Sequence, residues 1–281
     1  MKTVDVSEAA AHPTRSGRTA SGATNRPGVT ATRVLRSEWH KFWTLRSTWV
    51  TLSGASLLIL ATGLAMAISR EPAGAGPEEV RDPVVLTLLG IQFGQIILTV
   101  LGVLFTAGEY STGMIRASLS AVPRRHPVLW AKATVFAAVT LVTGLITTFA
   151  TFLLAQPFLS DTDMGASLTD PGVARAIAGT ALSLTLLGVL GLGLGALLRS
   201  VPGAIGAFFA GVIILPEVLS ALPSDAVKDL VRYFPARASE SLGAVHHHAG
   251  SPSDGTALLT LCLWALVALG TAGWLLKRRD V

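Results

Sequence analysis

Glu109, Arg116, Arg124, Arg125 and Lys132 stand between two strongly apolar stretches of a chain that is 51% hydrophobic and only 14% charged. One acid among four bases can form ion pairs within the chain or with another protein. They suit a docking contact with another protein or, equally, a solvated loop that only obeys the positive-inside rule. Nucleotide hydrolysis by a Walker A loop requires Gly-Lys followed by Ser or Thr. Lys2, Lys41, Lys132, Lys228 and Lys277 follow Met, His, Ala, Val and Leu, so no such loop exists. The consecutive His246, His247 and His248 do not converge on one ion from a helix or strand, and no metal site is expected. Cys262 is the only cysteine and is expected to pack. Glu217, the one ionisable residue inside an apolar run, and the pair Gln92 and Gln95 are candidates for a translocation path or gate.

The elements that position these residues are membrane helices. At about 20 apolar residues per crossing, six spans are expected, over 49–69, 84–106, 133–155, 176–198, 203–222 and 257–276. Continuous runs of Leu, Val, Ala and Gly lack the period of two that a barrel would show, which gives an all-α polytopic protein. Most of the 22 basic residues fall on the side of the two termini and most acids on the other. By the positive-inside rule both termini are expected in the cytoplasm; the membrane is expected to be a bacterial plasma membrane. The net charge of +5 therefore reflects topology, and no nucleic-acid partner is implied.

Residues 1–32, rich in Ala, Thr, Ser, Gly and Arg without apolar period, are expected to be a disordered tail, leaving 33–281 as one transmembrane domain. Over 33–46, Leu35, Trp39, Phe42 and Trp43 recur at helical spacing, with Arg36, His40, Lys41 and Thr44 opposite, which predicts an interfacial helix before the first span. After the second span, Thr112 is a candidate N-cap. Gly113, Met114, Ile115 and Arg116 open two turns of helix that Pro123 stops, ahead of Arg124. Arg199, Ser200, Val201 and Pro202 leave so little room that the fourth and fifth spans must be antiparallel neighbours. Gly191 and Gly195 have the spacing of close helix contacts. Val227, Leu230, Val231 and Phe234 after Ser224 predict a short external helix before the last span.

A basic, Trp-containing amphipathic segment leads to a first span, an acidic loop, and a second span ending in Gly108-Glu109-Tyr110-Ser111-Thr112-Gly113. An amphipathic stretch, Pro123-Arg124-Arg125 and Ala131-Lys132 follow. This order resembles the permease subunits of type-2 ATP-binding-cassette transporters, from about residue 33 onward and most specifically over 109–132. The resemblance implies that 112–122 is a cytoplasmic coupling helix docking on a separate ATPase. Glu109, Gly113, Arg116, Pro123, Arg124 and Lys132 match the pattern, and 33–46 would be the connecting helix beside it. It further implies a non-enzymatic exporter subunit that pairs with a second permease copy or a paralogue. That subunit binds no cofactor itself and depends on ATP and Mg in the partner ATPase. Membrane lipid and an exported substrate of unknown identity complete its partners. The alternatives are an ion-coupled secondary transporter, which needs carboxylates near the bilayer midplane, and a non-catalytic membrane scaffold.

Overall fold

The structure, a computed structural model, describes residues 31–69, 82–111, 126–160, 165–246 and 250–278. The described residues form helices joined by turns, with no strand, and six of the helical segments are long and apolar enough to cross a membrane. The chain is thus a multi-pass α-helical membrane protein. An even number of spans places Ala31 and Arg278 at one end of the bundle, the termini side; the opposite end is the far side.

Helix α1 covers Ala31–Thr44, so the last two residues of the expected tail are helical, while 1–30 lie outside the described residues. Extended backbone at Leu45 turns the chain into α2, Arg46–Ile68, the first span. The second span starts later than hydropathy predicts. Asp82 caps a five-residue helix α3, Pro83–Thr87, and the chain turns before entering α4, Ile91–Ser111. The corner at Gly90 presses on α2, where a Cβ would stand 2.8 Å from the Ile59 carbonyl oxygen. Hydropathy cannot see such a corner, because the residues on both sides of it are apolar.

Helix α5, His126–Leu159, has 34 residues. At 1.5 Å per residue it is about 50 Å long and outreaches a ~30 Å hydrocarbon core. Its first turns carry Lys132 beyond the apolar stretch while keeping it helical. Helix α6, Val173–Leu198, is the axis of the bundle: 72% of its apolar window is buried, against 28% for α2 and 22% for the fifth span. Gly102 of α4 and Gly188, Gly191 and Gly195 of α6 let these two helices meet. A Cβ on Gly191 would lie 2.5 Å from the Thr99 carbonyl oxygen, and one on Gly195 would lie 2.8 Å from that of Val103. Across the same seam the Thr106 hydroxyl donates to the Leu192 carbonyl at 2.9 Å. The close helix contact predicted from Gly191 and Gly195 is therefore made inside this chain, with α4.

Arg199 takes a left-handed conformation (φ 53°) and Ser200 accepts from the Gly203 amide, so the chain reverses at once into the fifth span, as its short connection requires. That span is irregular. Helix α7, Val201–Phe208, passes into a π-helical stretch, Phe209–Ile214, and then α8, Leu215–Ser220. Two helices follow where the sequence predicts one. Helix α9, Asp225–Val231, starts after Ser224, whose side chain makes no capping bond, and α10 covers Pro235–Gly243. Phe234 therefore lies outside α9: Pro235 bars the preceding residue from continuing a helix. Ala238 and Leu242 of α10 pack with Leu187, Leu190 and Leu261, which seats α10 on α6 and on α11, Asp254–Arg278, the last span.

Candidate functional site

Four charges lie together on the termini side, buried between α1, α4 and α5. Helix α1 turns one stripe inward, formed by Val34, Glu38 and Phe42 at spacings of four residues, with Lys41 at its edge. Val34 packs on Val128 and Ala131 of α5. The Phe42 ring, fully buried, meets Phe105 and Phe136 edge-on at 5.2 and 6.4 Å between centroids. These contacts bring the Glu38 carboxylate over α5, where Lys132 Nζ donates to Glu38 Oε2 and to Glu109 Oε1, each at 2.8 Å. Lys41 Nζ donates to the same oxygen of Glu109. The Lys132 ammonium also sits 4.4 Å from the Phe105 ring centroid. Side-chain exposure is 3% for Lys132, 6% for Glu38, 8% for Glu109 and 21% for Lys41.

Two acids and two bases sum to zero, which makes their burial tolerable. Each charge alone would carry a desolvation penalty of several kcal/mol. The arrangement is a joint between three helices: Lys132 ties α5 to α1 and α4 at once, and Glu109 ties α4 to both lysines.

Of the residues that the sequence singles out for docking, Glu109 and Lys132 meet directly, and their charged ends face the bundle. Thr112, Gly113, Met114, Ile115, Arg116, Pro123 and Arg124 lie outside the described residues. The predicted apolar face of the interfacial helix divides in two. Phe42 points into the bundle, whereas Leu35, Trp39 and Trp43 are 38%, 41% and 43% exposed. Lys41, expected on the polar face, is drawn into the joint. The inward stripe is rotated from the aromatic one because ion pairing recruits Glu38 and Lys41 to the protein side and leaves the indoles outward, where aromatic residues suit a membrane interface. Trp49 Nε1 donates to the Trp43 carbonyl at 3.2 Å and closes the corner between α1 and α2.

Glu38 is the member that sequence reasoning missed. Its signal was present: it is the only acid between Glu8 and Glu71, four residues from both Val34 and Phe42.

On the far side the candidate path residues part company. Gln95 Nε2 donates to Gln92 Oε1 at 2.6 Å, and both line a cavity between α4, α6 and α10. Glu217, 61% exposed, pairs instead with Arg237 at 2.9 Å and lines no part of that cavity. It stands at the far-side end of the fifth span. Cys262 is half-buried, His246 is exposed, and His247 and His248 lie outside the described residues. Among the described residues no group of His, Cys, Asp or Glu can hold a metal ion.

Asp82 clasps this end of the molecule. Its Oδ1 accepts from the Val84 and Val85 amides at 2.9 and 3.2 Å, and its Oδ2 accepts from the Val245 amide at 2.7 Å. Arg175 reinforces the closure by pairing with Asp254 and donating to the Ala244 carbonyl at 2.9 Å. Loss of an N-cap side chain costs about 0.5–2 kcal/mol. Asp82→Ala is expected to fall at the upper end, since a tertiary bond goes with the cap. Hydrogen exchange should quicken at Val84, Val85 and Val245 and stay unchanged at α1.

Neither the protein-family models nor the curated proteins contain a match to this chain.

Proposed function

We propose that this chain is the membrane-spanning subunit of a type-2 ATP-binding-cassette exporter, driven by a separate ATPase and working as a dimer with a second copy or a paralogue. The observation that carries the proposal is the joint of Glu38, Lys41, Glu109 and Lys132. It lies at the two ends of the segment that resembles a coupling helix: Glu109 is two residues before the end of α4, and Lys132 lies in the second turn of α5. A push on residues 112–125 is therefore delivered to α4 and α5 through a 2.8 Å ion pair, and to α1 through Glu38 and Lys41. Three elements then move as one rigid body, which is how a small displacement at a partner surface becomes rearrangement of the spans. The lack of a Gly-Lys nucleotide loop is consistent with a motor on another chain.

In this scheme the termini side is cytoplasmic, and α6, gripped by α4 along its glycine seam, carries the movement into the bundle. The fifth span, the least buried of the six within this chain and interrupted by a π-helical stretch ahead of Pro216, is the element expected to rearrange. Glu217 pairs with Arg237 at the far-side end of its span, away from the position that a midplane proton carrier needs.

Deletion of residues 113–122 tests the proposal. Co-expressed with an ATPase from an adjacent reading frame, the full chain should co-purify with it. The deletion variant should insert in the membrane but lose the ATPase. Undiminished co-purification, or ion-gradient transport by the chain alone in vesicles, would overturn the assignment.

A further inference from the structure

The fifth and last spans each pack on α6 and leave a groove of about 470 Å³ between them. Its walls are hydrocarbon and indole. Leu190, Leu194 and Leu197 of α6 form the floor, Ala207 and Gly211 of the fifth span one side, and α11 the other. The α11 side is a stripe of Trp264, Val267, Thr271 and Trp274, one face of the helix. From Trp264 to Trp274 it runs about 15 Å at 1.5 Å per residue, half of a ~30 Å hydrocarbon core. Leu197 and Trp274 stand close to the termini-side ends of their helices, so the groove lies in the leaflet on that side.

Its polar groups are already satisfied. Thr271 donates to the Val267 carbonyl at 2.6 Å, and Trp264 Nε1 donates to the Tyr233 carbonyl at 3.1 Å, which fixes that indole at the inner end. Gly211 keeps the side wall open: nothing lies within 4 Å of a Cβ there.

The mouth differs in character. The next position of the stripe is Arg278, whose guanidinium sits 4.2 Å from the Trp274 ring centroid, with Lys277 beside it in sequence. Both are exposed, and neither side chain has a hydrogen bond or ion pair among the described residues. Arg199, the base that ends α6, is turned onto the Tyr110 ring of α4 instead. A guanidinium held against an aromatic ring without hydrogen bonds keeps its N–H donors for phosphate oxygens.

We infer that this groove holds an anionic phospholipid of the termini-side leaflet, with one acyl chain along the α11 stripe and the phosphate on Arg278 and Lys277. A zwitterionic head would bring its own cation to that pair of bases. A second copy inserted the same way would bring its own basic termini-side residues to the same level, and like charge opposes that occupant. The lipid joins the fifth span, the least buried of the six, to the last one.

The test uses the full chain in phosphatidylcholine vesicles with no ATPase present, so its outcome does not depend on the transport assignment. A minor share of the lipid is brominated at mid-chain, either as phosphatidylglycerol or as phosphatidylcholine with the same chains. Bromine at that depth quenches Trp264, and the Trp264→Phe variant gives the background from the other tryptophans. Brominated phosphatidylglycerol should occupy the site about tenfold more strongly than brominated phosphatidylcholine. Lys277→Gln with Arg278→Gln should bring the two lipids level, and since both positions are exposed the fold is kept. Gly211→Leu should fill the groove and reduce Trp264 quenching by phosphatidylglycerol to that by phosphatidylcholine. Equal quenching of the unaltered chain by the two lipids, a preference that survives the double substitution, or unchanged quenching in Gly211→Leu would overturn the inference. So would a dimer in which Trp264 is shielded from both lipids, which would give the groove to a second copy.

Discussion

Lys132→Met is expected to destabilise the protein by about 3–5 kcal/mol, the range for removing one partner of a buried ion pair. Methionine matches the lysine stem in length, so the change removes the ammonium, with its ion pairs and its contact over the Phe105 ring, and leaves a side chain of similar shape. Glu38 then has no cation among its described contacts, at 6% side-chain exposure, and Glu109 retains Lys41. Thermal unfolding in detergent, followed by the fluorescence of Trp39, Trp43 and Trp49 at the α1 corner, should show α1 detaching at a lower temperature than the bundle melts. A double variant separates charge from shape. Glu38→Gln with Lys132→Met restores neutrality, because Lys41 and Glu109 still balance, and should recover more than half of the loss. Equal destabilisation in the single and double variants would mean that packing, not charge, holds the joint. A coupling energy between the two positions is the direct measure of that distinction.

Gly191→Leu is the second large effect. Overpacking a well-filled core costs about 1–3 kcal/mol and occasionally more. Here the obstruction is backbone: the new Cβ meets the Thr99 carbonyl oxygen at 2.5 Å, and a peptide group cannot rotate aside as a flexible side chain can. The α4 and α6 seam would have to open, with loss of the Thr106 bond to Leu192. We expect the variant at or above the upper end of that range, with aggregation on solubilisation. Gly54→Ala is the control. Nothing lies within 4 Å of a Cβ there, so the substitution should be neutral or slightly stabilising, as alanine favours a helix by about 0.8–1 kcal/mol over glycine. If both variants behave alike, helix propensity rather than the seam governs these glycines.

The two variants probe features of unequal legibility. The Gly191 contact was readable because close helix approach demands a missing Cβ, and the four-residue spacing announces one face; what the spacing did not give was the partner. The short connection at Arg199 draws attention to the fifth span as neighbour, yet the glycines face α4. The joint was half readable. Glu109 and Lys132 stand out as charges beside apolar runs, and that same contrast invites an outward assignment as docking residues. Their mutual pairing depends on α5 beginning as helix at His126, well before hydropathy marks its span. Glu38 was hidden among the basic residues of an interfacial segment, where an isolated acid looks like a solvated one.

The corners escaped for a related reason. Hydropathy averages over side chains, so it cannot distinguish a straight span from α3 and α4 set at a turn, nor a regular fifth span from one with a π-helical stretch. Pro235 did mark the break between α9 and α10, and the apolar spacing across it was the weaker signal.

Six helices able to span a membrane are legible in the residues alone, because lipid leaves no water to satisfy a backbone and only long apolar helices satisfy themselves. That constraint is local and acts on each segment alone. Which faces meet is not local. The inward turn of α1, the sharing of one Glu109 oxygen by two lysines, and the glycine seam of α4 on α6 arise from helices far apart in the chain, placed by close packing around α6. They follow from packing between segments, since the energy of a buried charge is set by what other segments bring beside it.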